Sequence, residues 1–183
     1  MSNNKNIIES VCDELFSRPS TNVYTILDGA SVPDLPQELW EREPEHVCLY
    51  RGVLEPDMAA TAPYLAKLEH QAPFTKWVIA EGWGKHWGIF AITPQKTDLR
   101  TMRLHFRKFL MVIDPDGKSL YFRYYDPRVL RVYLPTCNAQ EMAIVFGPVT
   151  DYIIQEEDSA AMLRFWRDGE KLQTEKLPLA YGQ

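Results

Sequence analysis

A chain of 183 residues with 45% apolar and 25% charged residues is long enough for one domain with a real core, and two domains would both be small. The net charge of -5 gives no global basic signal for nucleic acid, and no apolar run reaches the ~20 residues that a membrane helix needs. Cys12, Cys48 and Cys137 are odd in number and widely spaced, which fits neither a disulfide framework nor a metal knuckle and predicts a reduced, cytoplasmic protein. The polar start Ser2-Asn3-Asn4-Lys5-Asn6 predicts no signal peptide.

In chain order, Ile7, Ile8, Val11, Cys12, Leu15 and Phe16 recur at helical spacing and predict an amphipathic helix over 4–17. Val23 to Leu27 reads as a buried strand closed by the turn Asp28-Gly29-Ala30. Residues 33–41 predict a short helix with Leu35, Leu39 and Trp40 inward. Val47 to Tyr50 predicts a second strand, and Pro63 to Leu68 an edge strand, where proline is tolerated. Phe74, Trp77, Val78 and Trp83 give a helix weakened at Gly82 and Gly84, and a strand follows over 86–93. Leu99, Met102, Phe106 and Leu110 mark a helix whose other faces carry Arg100, Arg103 and Arg107.

Phe109 to Pro135 is the stretch around which the chain is organised. A large apolar run, the turn Asp114-Pro115-Asp116-Gly117 and a second β-prone run, Leu120 to Tyr125, predict an antiparallel hairpin. Asp126-Pro127 then reads as a helix start, with Asp126 as cap and Pro127 in the first turn. Phe106, Phe109, Leu110, Val112 and Phe122 are expected in the core with Ile26. A helix over 138–146, capped by Thr136 or Asn138, ends at Gly147-Pro148. Strands over 151–155, 162–167 and 171–177 close the chain, the last two joined at Asp168-Gly169. This order predicts a mixed α/β or α+β fold: one compact domain over 1–183, a central mixed sheet flanked by helices, and 156–183 as a β appendage or small C-terminal lobe.

Catalytic chemistry finds little support in these residues. No histidine pair has metal-ligand spacing, no serine sits in a nucleophile elbow, and no glycine-rich phosphate loop is present. No catalytic residue, metal ligand or cofactor is therefore assigned. A small enzyme with a Cys or carboxylate nucleophile stays open as the alternative, His46 and Cys48 sharing one side of a strand. Asp28, at a strand end, either caps its turn or pairs with an arginine of the 100–107 helix.

Charge is uneven. From Leu99 to Arg131 there are eight Lys and Arg against three acids, out of chain totals of 20 and 25, so the middle carries +5 and the remainder -10. Arg100, Arg103 and Arg107 at i, i+3 and i+7 share a helix face and, with Arg128, are candidate contacts to a protein partner. Trp83, between two glycines, is the candidate aromatic anchor.

Tyr121-Phe122-Arg123-Tyr124-Tyr125-Asp126-Pro127-Arg128-Val129-Leu130, followed by Tyr133-Leu134-Pro135, resembles the signature of the type VI secretion effector-chaperone family, also called adaptors, Tap or Tec. Further blocks fit in order: residues 24–30, 49–52, 62–65, 99–110 and 146–149. The resemblance spans roughly residues 22–155. It implies a non-enzymatic cytoplasmic adaptor that binds a toxic effector and helps load it onto a VgrG or PAAR spike protein, with no nucleic-acid or membrane partner.

Overall fold

Strand burial in the computed structural model, which describes residues 2–113, 116–157 and 160–179, explains the long apolar runs of the sequence. The first strand, β1 (Thr21–Asp28), is buried continuously from Val23 onward. Its side chains alternate between two separate cores, Val23 and Leu27 in one, Tyr24 and Ile26 in the other. A strand covered on both faces has no polar face to show, so it reads as an unbroken run instead of an alternating one.

Seven strands form the sheet in the order β2-β3-β1-β4-β7-β8-β9. They are β2 (His46–Cys48), β3 (Pro63–Leu68), β4 (Gly88–Pro94), β7 (Asp151–Gln155), β8 (Ala161–Asp168) and β9 (Lys171–Pro178), with β1 between β3 and β4. Every ladder is antiparallel. One face is covered by α1 (Ser2–Leu15), α2 (Leu35–Arg42) and α4 (Pro73–Gly82), through Val11, Leu15, Leu35, Leu39, Phe74 and Val78. The other is covered by α5 (Leu99–Phe106), α6 (Pro127–Tyr133) and α7 (Ala139–Phe146), through Met102, Phe106, Leu130, Val145 and Phe146. A short α3 (Pro56–Thr61) precedes β3. The result is the expected α+β domain.

Local chemistry sets the helix ends. Asp98 accepts from the Thr101 amide at the start of α5, and Asn138 and Glu141 form a reciprocal capping box on α7. Gly147 ends α7 with φ 45°, and a Cβ there would meet the His105 ring, so glycine answers both a backbone and a packing demand.

Five expectations need correction. The central sheet, expected to be mixed, is antiparallel in every ladder: the α4 crossover carries the chain from β3 past β1 to β4, so the two strands it joins are separated by one antiparallel to both. Pro63–Leu68 is an interior strand, paired with β1 and β2. It tolerates proline because Pro63 is its first residue, where its missing N–H matters least. Trp40 points outward, 78% exposed: Leu35 and Leu39, one turn apart, fix the buried face of α2, and residue 40 lies about 100° around from Leu39. The three C-terminal strands continue the main sheet through the β4–β7 ladder, in which Phe90 faces Ile153 and Ala91 faces Tyr152. The last correction concerns the central hairpin. Its strands β5 (Met111–Ile113) and β6 (Ser119–Tyr121) do pair, but as a separate two-stranded ribbon outside the main sheet. Val112, expected in the core, is 40% exposed and Ile113 75%. Phe106, Leu110 and Ile26 are buried as expected, and Phe109 and Phe122 pack at the core's margin. Of the hairpin turn, Asp114 and Pro115 lie outside the described residues; Gly117 takes φ 82°.

Candidate protein-docking groove

The ribbon is fixed at its base by buried carboxylates. Asp28, at the end of β1 and 1% exposed, accepts from the Ala30 amide (3.1 Å) and the Ser31 hydroxyl (2.9 Å), and also from the Arg123 guanidinium. It thus caps its turn and holds an arginine at once. That arginine comes from the end of the ribbon, not from the 100–107 helix as expected. Two residues on, Tyr125 and Asp126 are buried. Asp126 accepts from the Arg128 amide at 2.9 Å, which is the expected cap of the helix that begins at Pro127. Arg128 Nε and Nη2 grip the same carboxylate at 3.0 and 2.6 Å. Burial works against ionising Asp126, yet these bonds hold its pKa below the ordinary value. The Tyr125-Asp126-Pro127-Arg128 motif is therefore a structural joint between ribbon and core, and Arg128 is engaged within the chain.

A second tether reaches across from α5. Arg107 follows the last turn of that helix, and its guanidinium donates to the carbonyls of Leu49 (Nε, 2.8 Å), Cys48 (Nη2, 3.2 Å) and Tyr50 (Nη2, 2.5 Å). These carbonyls belong to β2 and its exit, at the edge of the sheet. An arginine there satisfies acceptors that an edge strand would otherwise present to another chain. The expected common face of three free arginines is therefore divided: Arg100 is exposed, Arg103 is half-buried with an unpartnered Nε, and Arg107 is committed to the backbone.

Between the 49–58 segment and the ribbon lies a groove of about 490 Å³. Leu49 and Leu110 contribute buried apolar surface; Leu54, Met58, Met111 and Tyr121 give more exposed apolar walls; Arg51 and Arg107 supply the charge. The Tyr121 ring lies against Tyr50, with centroids 5.3 Å apart. Burial, and after it the neighbouring charges of Arg103 and Arg51, lower the pKa of Arg107, as expected where guanidiniums crowd together. Among the described residues no carboxylate pairs with Arg51, Arg103 or Arg107.

Trp83 does not stand out as an anchor. It is half-buried against the first core and lines, with Trp87 and Gln155, a cavity of about 10 Å³. The glycines beside it allow a tight turn that folds the ring inward. The His46–Cys48 pairing is likewise not formed: His46 Nδ1 faces the Pro44 carbonyl at 2.8 Å, and burial pushes the Cys48 thiol up, away from the thiolate form. Among the described residues no group of three His, Cys, Asp or Glu is placed to hold a metal ion. Sequence reasoning missed Arg51, the partnership of Arg123 with Asp28, and the exposure of the ribbon. The one available signal was that Met111-Val112-Ile113 has no polar residue alternating with it, a pattern that does not distinguish a buried strand from one covered by a partner.

No curated protein and no solved structure matches the chain. A family model does, over residues 23–143, which include most of β1, the groove, the ribbon and the Tyr125-Asp126-Pro127-Arg128 joint. That is more than half of the 183 residues, and the chain belongs to the family described as Domain of unknown function (DUF4123).

Proposed function

We propose that this protein is a cytoplasmic adaptor of type VI secretion, which binds a toxic effector and helps load it onto a VgrG or PAAR spike protein. The observation that carries this reading is the apolar ribbon and groove. Met58, Met111, Val112, Ile113, Leu120 and Tyr121 all expose large apolar side chains in one region, and the ribbon among them is anchored at its base by arginines on the buried carboxylates Asp28 and Asp126. Exposed apolar surface of this kind, bordered by arginine, marks protein interfaces. The resemblance of Tyr121–Pro135 to the effector chaperones points the same way.

The test is affinity purification of the tagged protein from its native host, with mass spectrometry of what is retained. A large toxin and a spike-tip protein are expected together, and both should diminish when Met111→Asp is used as bait. Retention of neither above an untagged control would overturn the reading.

A further inference from the structure

The groove has the chemistry to select one kind of partner segment, and the selection rests on the adaptor reading above. Its apolar walls come from two different elements, the 49–58 segment and the ribbon, across a trough of about 490 Å³. Two of the wall residues are methionines, whose flexible thioethers adapt to the side chains of an inserted helix. An extended segment would lay only alternate side chains into such a trough. A helix presents a continuous apolar stripe at i, i+3, i+4 and i+7.

Charge narrows the choice further. Arg51 is exposed at the groove, Arg107 lies in its lining, and Arg103 is close enough to both Arg107 and Cys48 for its charge to act on them. The Arg103 Nε is buried and lacks an acceptor, although guanidinium groups in such places are ordinarily satisfied. Among the described residues these three cations have no carboxylate of the chain against them. Yet the chain has more acids than bases overall. This unbalanced positive charge is complementary to a carboxylate supplied from outside, and the planar guanidinium favours one by bidentate bonding. The surrounding methionine, leucine and tyrosine side chains set the site apart from a groove for a nucleic-acid backbone.

We propose that this groove receives an amphipathic helix of a protein partner, with an apolar stripe seated between Met58 and Met111 and carboxylates bordering that stripe on the side of Arg51. Specificity for the border charge comes from Arg51, while the apolar walls supply most of the affinity.

The probes are three fluorescent peptides of about 18 residues, long enough to form several helical turns. One has a leucine stripe bordered by Glu, one has the same stripe bordered by Lys, and one has the Glu composition scrambled. Fluorescence anisotropy with the full-length protein is expected to rank the Glu-bordered peptide about tenfold tighter than the Lys-bordered one, with the scrambled peptide weaker still. Arg51→Glu should reverse the charge preference. Met111→Asp should weaken both helical peptides, and both variants should keep the wild-type melting curve, because the altered side chains are exposed.

Equal binding of the Glu- and Lys-bordered peptides, or an unchanged preference in Arg51→Glu, would overturn the proposal. So would tighter binding of a single-stranded oligonucleotide, or a wild-type dimer that Arg51→Glu makes monomeric, which would assign the groove to a second copy of this chain. The adaptor reading is tested separately. If toxin and spike protein still co-purify with Arg51→Glu and Met111→Asp at wild-type levels, the groove proposal fails while the adaptor reading stands. If neither co-purifies with the wild type, the adaptor reading itself fails.

Discussion

β1 and the β5–β6 ribbon are built from the same kinds of residue and meet opposite fates. Val23-Tyr24-Thr25-Ile26-Leu27 is buried on both faces, between two layers of helices. Met111-Val112-Ile113, no less apolar, is exposed throughout and pairs only with another exposed three-residue strand. Composition cannot account for the difference. β1 lies between β3 and β4 and can shed water on both faces, whereas the ribbon leaves the core at Leu110 and returns at Phe122, whose amide donates to the Leu110 carbonyl at 3.0 Å. A two-stranded ribbon is marginal by itself. Here its base is held by Arg123 on Asp28 and by the buried Tyr124 and Tyr125. An apolar run thus carries stability where helices cover it and is available for recognition where they do not.

The largest expected effect falls on the covered side. Phe106 is fully buried, and its ring stacks on Tyr124 with centroids 5.7 Å apart. Phe106→Ala should cost about 3–5 kcal/mol through lost transfer energy and the cavity left behind. Chemical denaturation should show either a greatly lowered midpoint or an unfolded protein. A midpoint near that of wild type would mean that α5 does not close the core as described.

The next effect sharpens the comparison through pH. His105 is buried in the same layer, with Nε2 donating to the Val145 carbonyl at 2.9 Å, so Nδ1 carries no proton in the neutral ring. Burial, aided by the charge of Lys108, lowers its pKa to about 4, the Val145 bond only partly opposing this. In the unfolded chain the imidazole titrates at about 6.5. Between these values the unfolded state binds the extra proton. Stability is therefore unaffected by this group above about pH 6.5 and falls as pH drops toward 4, by about 3 kcal/mol across the window. His105→Gln, which retains a donor for Val145, should flatten the dependence of melting temperature on pH from 7 to 4.5. An unchanged slope would show that His105 is not the titrating group.

A smaller effect lies at the joint between the two regions. Asp126→Ala removes the cap of α6 and releases Arg128, and should cost about 1 kcal/mol. Urea midpoints measure it, and no shift would show that the cap adds nothing. This joint is also where the sequence was most legible. A cap is decided within three residues, so Asp126-Pro127 and Gly147-Pro148 could be read without the fold, and the cap of α7 could be narrowed to Thr136 or Asn138. Helical spacing was legible for the same reason: Met102 and Phe106 are buried as their positions in α5 require. Partnerships across the chain were not. Asp28 and Arg123 are 95 positions apart, and which arginine arrives depends on where the ribbon emerges. Arg107 read as a partner contact on a face shared with Arg100 and Arg103, because its tie to the backbone depends on an edge strand whose carbonyls lie more than fifty residues earlier. The groove was illegible for that reason too, one wall being local to the motif and the other coming from the 49–58 segment.

The smallest stability effect is expected on the exposed strand, and it separates the two fates most cleanly. Ile113→Thr keeps a β-branched side chain suited to a strand but removes apolar surface from a residue that is 75% exposed. Because little of that side chain is withdrawn from water, the unfolding free energy from urea denaturation should change by no more than about 0.5 kcal/mol. If the ribbon contributes to the docking surface, retention of the toxin in the affinity purification should nonetheless fall, since an interface loses there the apolar contact that the core never used. A loss of stability comparable to that of a core substitution would instead place Ile113 among the residues that hold the fold together. The ribbon would then be a covered strand like β1, and the contrast between the two regions would disappear.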